Sequence, residues 1–149
     1  AAGLLHDVIE ETRPEGREEA RREIREQVSP EALALVEGVT DQDPEAGWYV
    51  RKDAYLERLK TAPRDALAVS CADKLDNSLW LIEVVRTQGK DGLKRFNSPI
   101  VSKVAYHAAV AEVTARRWPD CPILPAFREV LDDLRRVADG VEAGQGGGR

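Results

Sequence analysis

A chain of 149 residues with 42% hydrophobic content is long enough to bury a sizeable core, and one domain is expected. Its 27 acidic and 22 basic residues leave a net charge of −5, which argues against nonspecific nucleic-acid binding through a basic surface. There is no apolar run of membrane length, and Cys71 and Cys121 form neither a disulfide framework nor a zinc-site spacing, so a soluble cytoplasmic protein is expected.

The chain opens on Leu4-Leu5-His6-Asp7-Val8-Ile9-Glu10-Glu11-Thr12, an apolar stretch with helical spacing that holds four metal-liganding or proton-handling side chains. On a helix, residues four apart share a face, so His6 stacks on Glu10 and Asp7 on Glu11. Arg13-Pro14 breaks that helix. Residues 15–27 are dense in Glu and Arg with few apolar anchors, which reads as a solvated and mobile helix. Ser29-Pro30 has the form of an N-cap followed by proline at the first helical position, with a helix over residues 30–37. Residues 41–47 form a polar loop, and a helix is predicted over residues 48–60. The stretch 51–64 is rich in Arg and Lys, most of them expected in four-apart ion pairs on a solvated face.

Residues 64–88 read as one long helix, with Pro63 at its start and Gly89 just past its end. It is apolar nearly all round, from Leu67 through Cys71 and Leu79 to Val85, which predicts burial. Ser70, Asp73 and Asn77 nevertheless fall at three- and four-residue steps, with Asp76 beside them. An unpaired buried carboxylate is costly, so Asp73 needs a cation or hydrogen-bond donors. Ser98-Pro99 repeats the cap signature and leads into a helix over residues 99–117, on which His107 reads as an ordinary surface or groove residue. Leu124, Phe127, Val130, Leu131 and Leu134 recur at helical spacing and predict an amphipathic closing helix over residues 123–137. The glycine-rich segment 140–149 is expected to be a disordered tail. No segment reads as a strand or an internal repeat, so the predicted fold is all-α.

Imidazole and carboxylate ligands suit first-row divalent metals, and free carboxylates handle protons on a bound water. His6 and Asp7 at one end of the chain and Asp73 far down it compose such a set. The ordinary alternatives are a satisfied core histidine before a solvated helix end, and for Asp73 an N-cap contact or an arginine salt bridge. Two separate acidic clusters together favour the metal.

Three segments also carry a resemblance. Leu4 to Thr12, Val36-Glu37-Gly38-Val39-Thr40 and Ala72-Asp73-Lys74-Leu75-Asp76-Asn77 resemble, in order and spacing, the motifs of the HD superfamily of metal-dependent phosphohydrolases. Within it they are most similar to the RelA/SpoT-type hydrolase domains that degrade guanosine tetraphosphate, and to their small single-domain relatives. The resemblance covers roughly residues 1–115. It implies a compact helical HD-domain bundle over residues 1–139, a divalent ion (manganese in the stringent hydrolases) and a phosphorylated nucleotide substrate. His6, Asp7 and Asp73 match three metal ligands, and Glu10 and Glu11 match the acidic pair that activates water. Asn77, Thr40, Lys52 and Lys74 are the expected substrate-binding residues.

Two positions depart from the family pattern. Glu11 stands where the family usually has Asp, and Asp76 where many relatives have His. The family's first histidine ligand lies on a helix upstream of the His-Asp pair, and five residues precede His6 here. With no methionine in the chain, an N-terminally truncated domain is expected, lacking the histidine that completes the ligand set and for that reason weak in metal binding and impaired as an enzyme. The expected reaction is metal-assisted hydrolysis of a guanosine tetraphosphate-like substrate. The alternatives are an HD phosphohydrolase for another nucleotide such as a nucleoside monophosphate, or a nucleotide-sensing or scaffolding domain without turnover. The metal reading requires His6, Asp7 and Asp73 to converge.

Overall fold

The computed structural model describes residues 8–9, 12–40 and 46–143. Among them six α-helices and no strand are found: α1 (Arg17–Gln27), α2 (Pro30–Val39), α3 (Trp48–Leu59), α4 (Arg64–Leu93), α5 (Ile100–Arg117) and α6 (Leu124–Ala143). A 3₁₀ turn, Pro14–Gly16, precedes α1 at the predicted break. No helix of the described residues is long and apolar enough to cross a membrane. The chain divides into two compact units, Ala1–Ser70 and Cys71–Arg149.

In the first unit the helices are short and the core is aliphatic: Ile9, Ala20, Ile24, Leu33 and Val36 form one buried cluster. Val8 and Ile9 are helical, as the opening run predicts, and Thr12 donates its N–H to the Val8 carbonyl at 3.2 Å. α1 contributes only Ala20 and Ile24 to the core. Its outer face carries three-apart pairs of Arg21 with Glu18 and Arg22 with Glu19, and Arg21 also reaches Glu37 on α2 at 3.3 Å. Ser29 caps α2 as predicted, its Oγ accepting the Ala32 N–H at 3.0 Å, with Pro30 in the first turn. α3 turns Tyr55 and Leu59 inward, and the Tyr55 hydroxyl donates to Ser70 Oγ at 2.8 Å.

In the second unit Leu81, Ile82, Ile100, Leu134 and Ala138 form the buried cluster, with Val85, Leu93, Phe96 and Val130 packed against it. α6 buries Leu124, Phe127, Leu131, Leu134 and Ala138, a stripe at steps of three and four. Gly89 adopts φ +58, ψ −147 and interrupts α4. An L side chain is strained in that left-handed region, so glycine at the predicted stop has a direct physical reason. Three residues on, Gly92 is packed so tightly that a Cβ there would lie 2.7 Å from Val84 Cγ1.

Four expectations are corrected. His107 is a buried residue of α5, not a surface one. Ser98 is buried without capping α5, and Pro99 occupies the N-cap position. α6 continues through Gly140 to Ala143, so the predicted tail begins inside a helix; residues 144–149 lie outside the described residues. One helical glycine costs only about 1 kcal/mol, and the burial of Ala138 just before it anchors the helix there. Finally, α4 is not buried all round: Leu79 and Trp80 are half-exposed. Trp80 instead makes an edge-on contact with Phe96, centroids 5.3 Å apart, beneath the Arg95 guanidinium.

Candidate active site

Of the predicted site residues, Asp73, Lys74 and Asn77 are brought together in the second unit. One turn of α4 does this, because residues four apart lie on the same face. Asn77 Nδ2 donates to Asp73 Oδ1 at 3.0 Å, and the Lys74 ammonium is in direct contact with Asp73 Oδ2. The Asp73 and Lys74 side chains are only 13% and 11% exposed. Asp73 thus meets its predicted need for a cation and a donor, but the cation is a lysine from the next position rather than an arginine. In this low-exposure setting the pair is stable only as a pair, since removing one partner leaves a desolvated charge.

Lys74 is itself held from α5. Its ammonium lies 5.7 Å from the centroid of the Tyr106 ring, within cation–π range. Its backbone carbonyl accepts the Ser78 hydroxyl at 2.7 Å. Ser78 Oγ in turn lies 2.8 Å from His107 Nδ1. A hydroxyl has one hydrogen. With that hydrogen on the Lys74 carbonyl, Ser78 Oγ accepts from the ring, and His107 carries its proton on Nδ1. Ser78 and His107 are both buried, as is Tyr106. This layer was missed in the sequence, although a signal was present: His107 is spaced from Val110, Ala111 and Thr114 as one buried face of a helix.

Thr40 and Lys52 belong to the first unit. Thr40 is the C-cap residue of α2, and its buried hydroxyl donates to the Val36 carbonyl at 2.7 Å. The Thr40 carbonyl accepts Arg58 Nη2 at 3.0 Å. Its hydroxyl proton is therefore committed within the helix, leaving the oxygen as an acceptor. Lys52 is half-buried on α3. His6, Asp7, Glu10 and Glu11 lie outside the described residues, so the predicted convergence of His6 and Asp7 with Asp73 falls there too.

Among the described residues no group of three or more His, Cys, Asp or Glu side chains is arranged to hold a metal ion. Asp73 is the one expected ligand described. Its chemistry fits a hard divalent cation: an oxygen donor, largely shielded from water, with its orientation fixed by Asn77 and Lys74.

Other features of the second unit take no part in this cluster. Cys71 and Cys121 are both buried free thiols. Cys71 donates to Thr114 Oγ1 at 3.3 Å, and burial pushes its pKa up from 9.0 to about 11, with the neighbouring Cys121 adding to the rise and the Thr114 bond opposing it. A groove of about 730 Å³ between α5 and α6 has an alanine floor and a rim that includes Glu112, Arg116, Asp132 and Arg135. Four of its rim charges are paired along their own helices, Arg116 with Glu112 and Arg135 with Asp132. No protein-family model matches this chain, and no curated protein matches it either.

Proposed function

We propose that this chain is a metal-dependent phosphohydrolase of the HD type that removes the 3′-pyrophosphate of guanosine tetraphosphate or a near relative. The observation that supports it most is the Asp73 cluster. A carboxylate with little exposure is oriented by an amide and an ammonium at the position where the third of three ordered motifs expects a metal ligand.

In this reading His6, Asp7 and Asp73 hold the ion. When bound, a divalent ion such as manganese lowers the pKa of its water and polarises a phosphoryl oxygen. Glu10 and Glu11 orient the attacking water and take its proton. Water oxygen bonds to the phosphorus attached to the ribose 3′ oxygen; that P–O bond breaks, pyrophosphate leaves, and the ribose oxygen is protonated. Asn77 borders the nucleotide, and Lys52 supplies positive charge for the additional phosphates. Thr40 contributes an acceptor oxygen rather than a donor, since its proton is committed to Val36.

The test is a substrate panel with manganese. Pyrophosphate release from guanosine tetraphosphate is expected to exceed phosphate release from nucleoside monophosphates. Glu10→Gln and Glu11→Gln should each lower turnover on the order of 10²-fold or more while leaving metal content intact, and Asp73→Ala should lose the metal. The reverse substrate order would make the chain a nucleotidase. Metal binding with no turnover of either substrate would make it a nucleotide-binding module.

A further inference from the structure

We propose that Tyr106 and His107, adjacent on α5, are positioning residues for the Asp73 carboxylate, Tyr106 acting through the Lys74 ammonium and His107 through Ser78 and the Lys74 carbonyl. The inference rests on Asp73 being a metal ligand, as proposed above. It assigns Lys74 a different task from the phosphate contact that the motif resemblance implies.

The argument begins with Lys74. A lysine ammonium on a four-carbon stem is ordinarily a mobile, strongly hydrated charge. Here the residue is buried, its ammonium meets Asp73 and the face of the Tyr106 ring, and its backbone carbonyl accepts the Ser78 hydroxyl. Its charge is therefore directed at a carboxylate of its own helix. A cation held there fixes which Asp73 oxygen faces away from it. Asn77 fixes the other oxygen.

One of these contacts, the Tyr106 ring, comes from α5 within the same compact unit, and the Ser78 contact, within α4, is in turn touched by His107 of α5. A Ser hydroxyl bonded to the carbonyl four residues back is common in helices and by itself only local. The His107 ring alters that. It holds the Ser78 hydroxyl in the rotamer that serves Lys74, because the ring N–H needs Ser78 Oγ as its acceptor. Supporting groups of this kind orient metal ligands, and their removal typically lowers metal affinity by about 10–100-fold.

The experiment is manganese titration of the chain and its variants, with free Mn²⁺ followed by electron paramagnetic resonance and folding checked by circular dichroism. Asp73→Ala should abolish specific binding. Ser78→Ala and Tyr106→Leu should each weaken binding by about 10-fold or more. Ser78→Thr keeps the hydroxyl and Tyr106→Phe keeps the ring face, so both should bind like the parent. His107→Asn places a donor near the Nδ1 position and should outperform His107→Gln, whose amide reaches the Nε2 position. This last pair decides the question if the removal variants unfold.

Parent-like affinity in folded Ser78→Ala and Tyr106→Leu, or equal affinities for the two His107 variants, overturns the inference and leaves the phosphohydrolase reading intact. No manganese binding by the parent, or parent-like binding by Asp73→Ala, overturns the reading itself and this inference with it.

Discussion

The two compact units divide their side chains differently between core and surface. α1 in the first unit gives its core two residues, Ala20 and Ile24, and devotes most of its surface to Arg–Glu pairs. α6 in the second unit gives five, including Phe127 and Leu134, with a comparable display of three-apart ion pairs outside. Exposed pairs of this kind contribute about 0–1 kcal/mol each. Burying one large apolar side chain contributes about 1.5–3 kcal/mol. The charges that dominate the appearance of both helices therefore decide little, and the anchors decide most. The residue with the most elaborate polar support, Asp73, belongs to the well-anchored unit. That suits the proposed role of Asp73 as a metal ligand, whose placement must be exact.

The comparison is broken most directly by truncating one anchor from each unit. Phe127→Ala should cost about 3–5 kcal/mol and Ile24→Ala about 2–5 kcal/mol, measured by denaturant unfolding with the native slope retained. A larger loss for Ile24→Ala would mean that the first unit, not the second, governs the stability of the chain.

A second expectation isolates the second unit through pH. The Cys71 thiol is held protonated by burial to about 11. The unfolded chain loses that proton near the ordinary cysteine value of 9.0. Over the interval between, the folded state binds more protons than the unfolded, so stability falls as pH rises. The contribution is complete below the unfolded value and is lost as pH climbs through the folded one. Cys71→Ala should therefore lose less stability than the parent between neutral and strongly alkaline pH. Thermal melts of the two proteins across that range compare them, with lysine and tyrosine titrations common to both. A parallel decline would show that Cys71 does not hold its proton differently on folding.

The smallest expected effect belongs to the first unit. Ser29→Ala removes the side-chain cap of α2 and should cost about 1 kcal/mol, whereas Ser29→Asp should retain most of the cap. Because Ser98 makes no cap at α5, Ser98→Ala should not show the loss expected of a removed cap. Equal losses at the two serines would contradict the structural distinction between them.

These two serines also mark how far the sequence could be read. Ser-Pro is the same dipeptide at both positions, yet only Ser29 has its Oγ on a helix N–H. Local pattern announces a helix start; it does not reveal whether the neighbouring core draws the side chain inward, as happens at Ser98. The helices themselves were legible because their boundaries are enforced by single residues, Pro30, Pro63 and Gly89, whose backbone chemistry leaves few options. The Asp73–Asn77 pairing was legible as a four-residue step. Its support from α5 was not, because Tyr106 and His107 reach Lys74 and Ser78 through contacts about 30 residues apart in the chain, and a histidine on a helix reads alike whether it faces water or a serine. Similarly, Leu79 reads as core in an apolar helix although the fold leaves it half-exposed.

Gly89 has a consequence for how disturbances spread. Helical hydrogen bonding is cooperative: each bond is easier to form or keep when its neighbour is formed. The left-handed geometry at Gly89 cuts that chain of dependence inside α4. The turn beyond it, up to Leu93, is therefore tied to the fold through the packing of Leu93 and Phe96 on the core rather than through an unbroken helical ladder from the Asp73 segment. Gly89 thus works as a firebreak: a disturbance of the backbone hydrogen bonds after it has no continuous ladder by which to reach the turn that holds Asp73, Lys74 and Asn77.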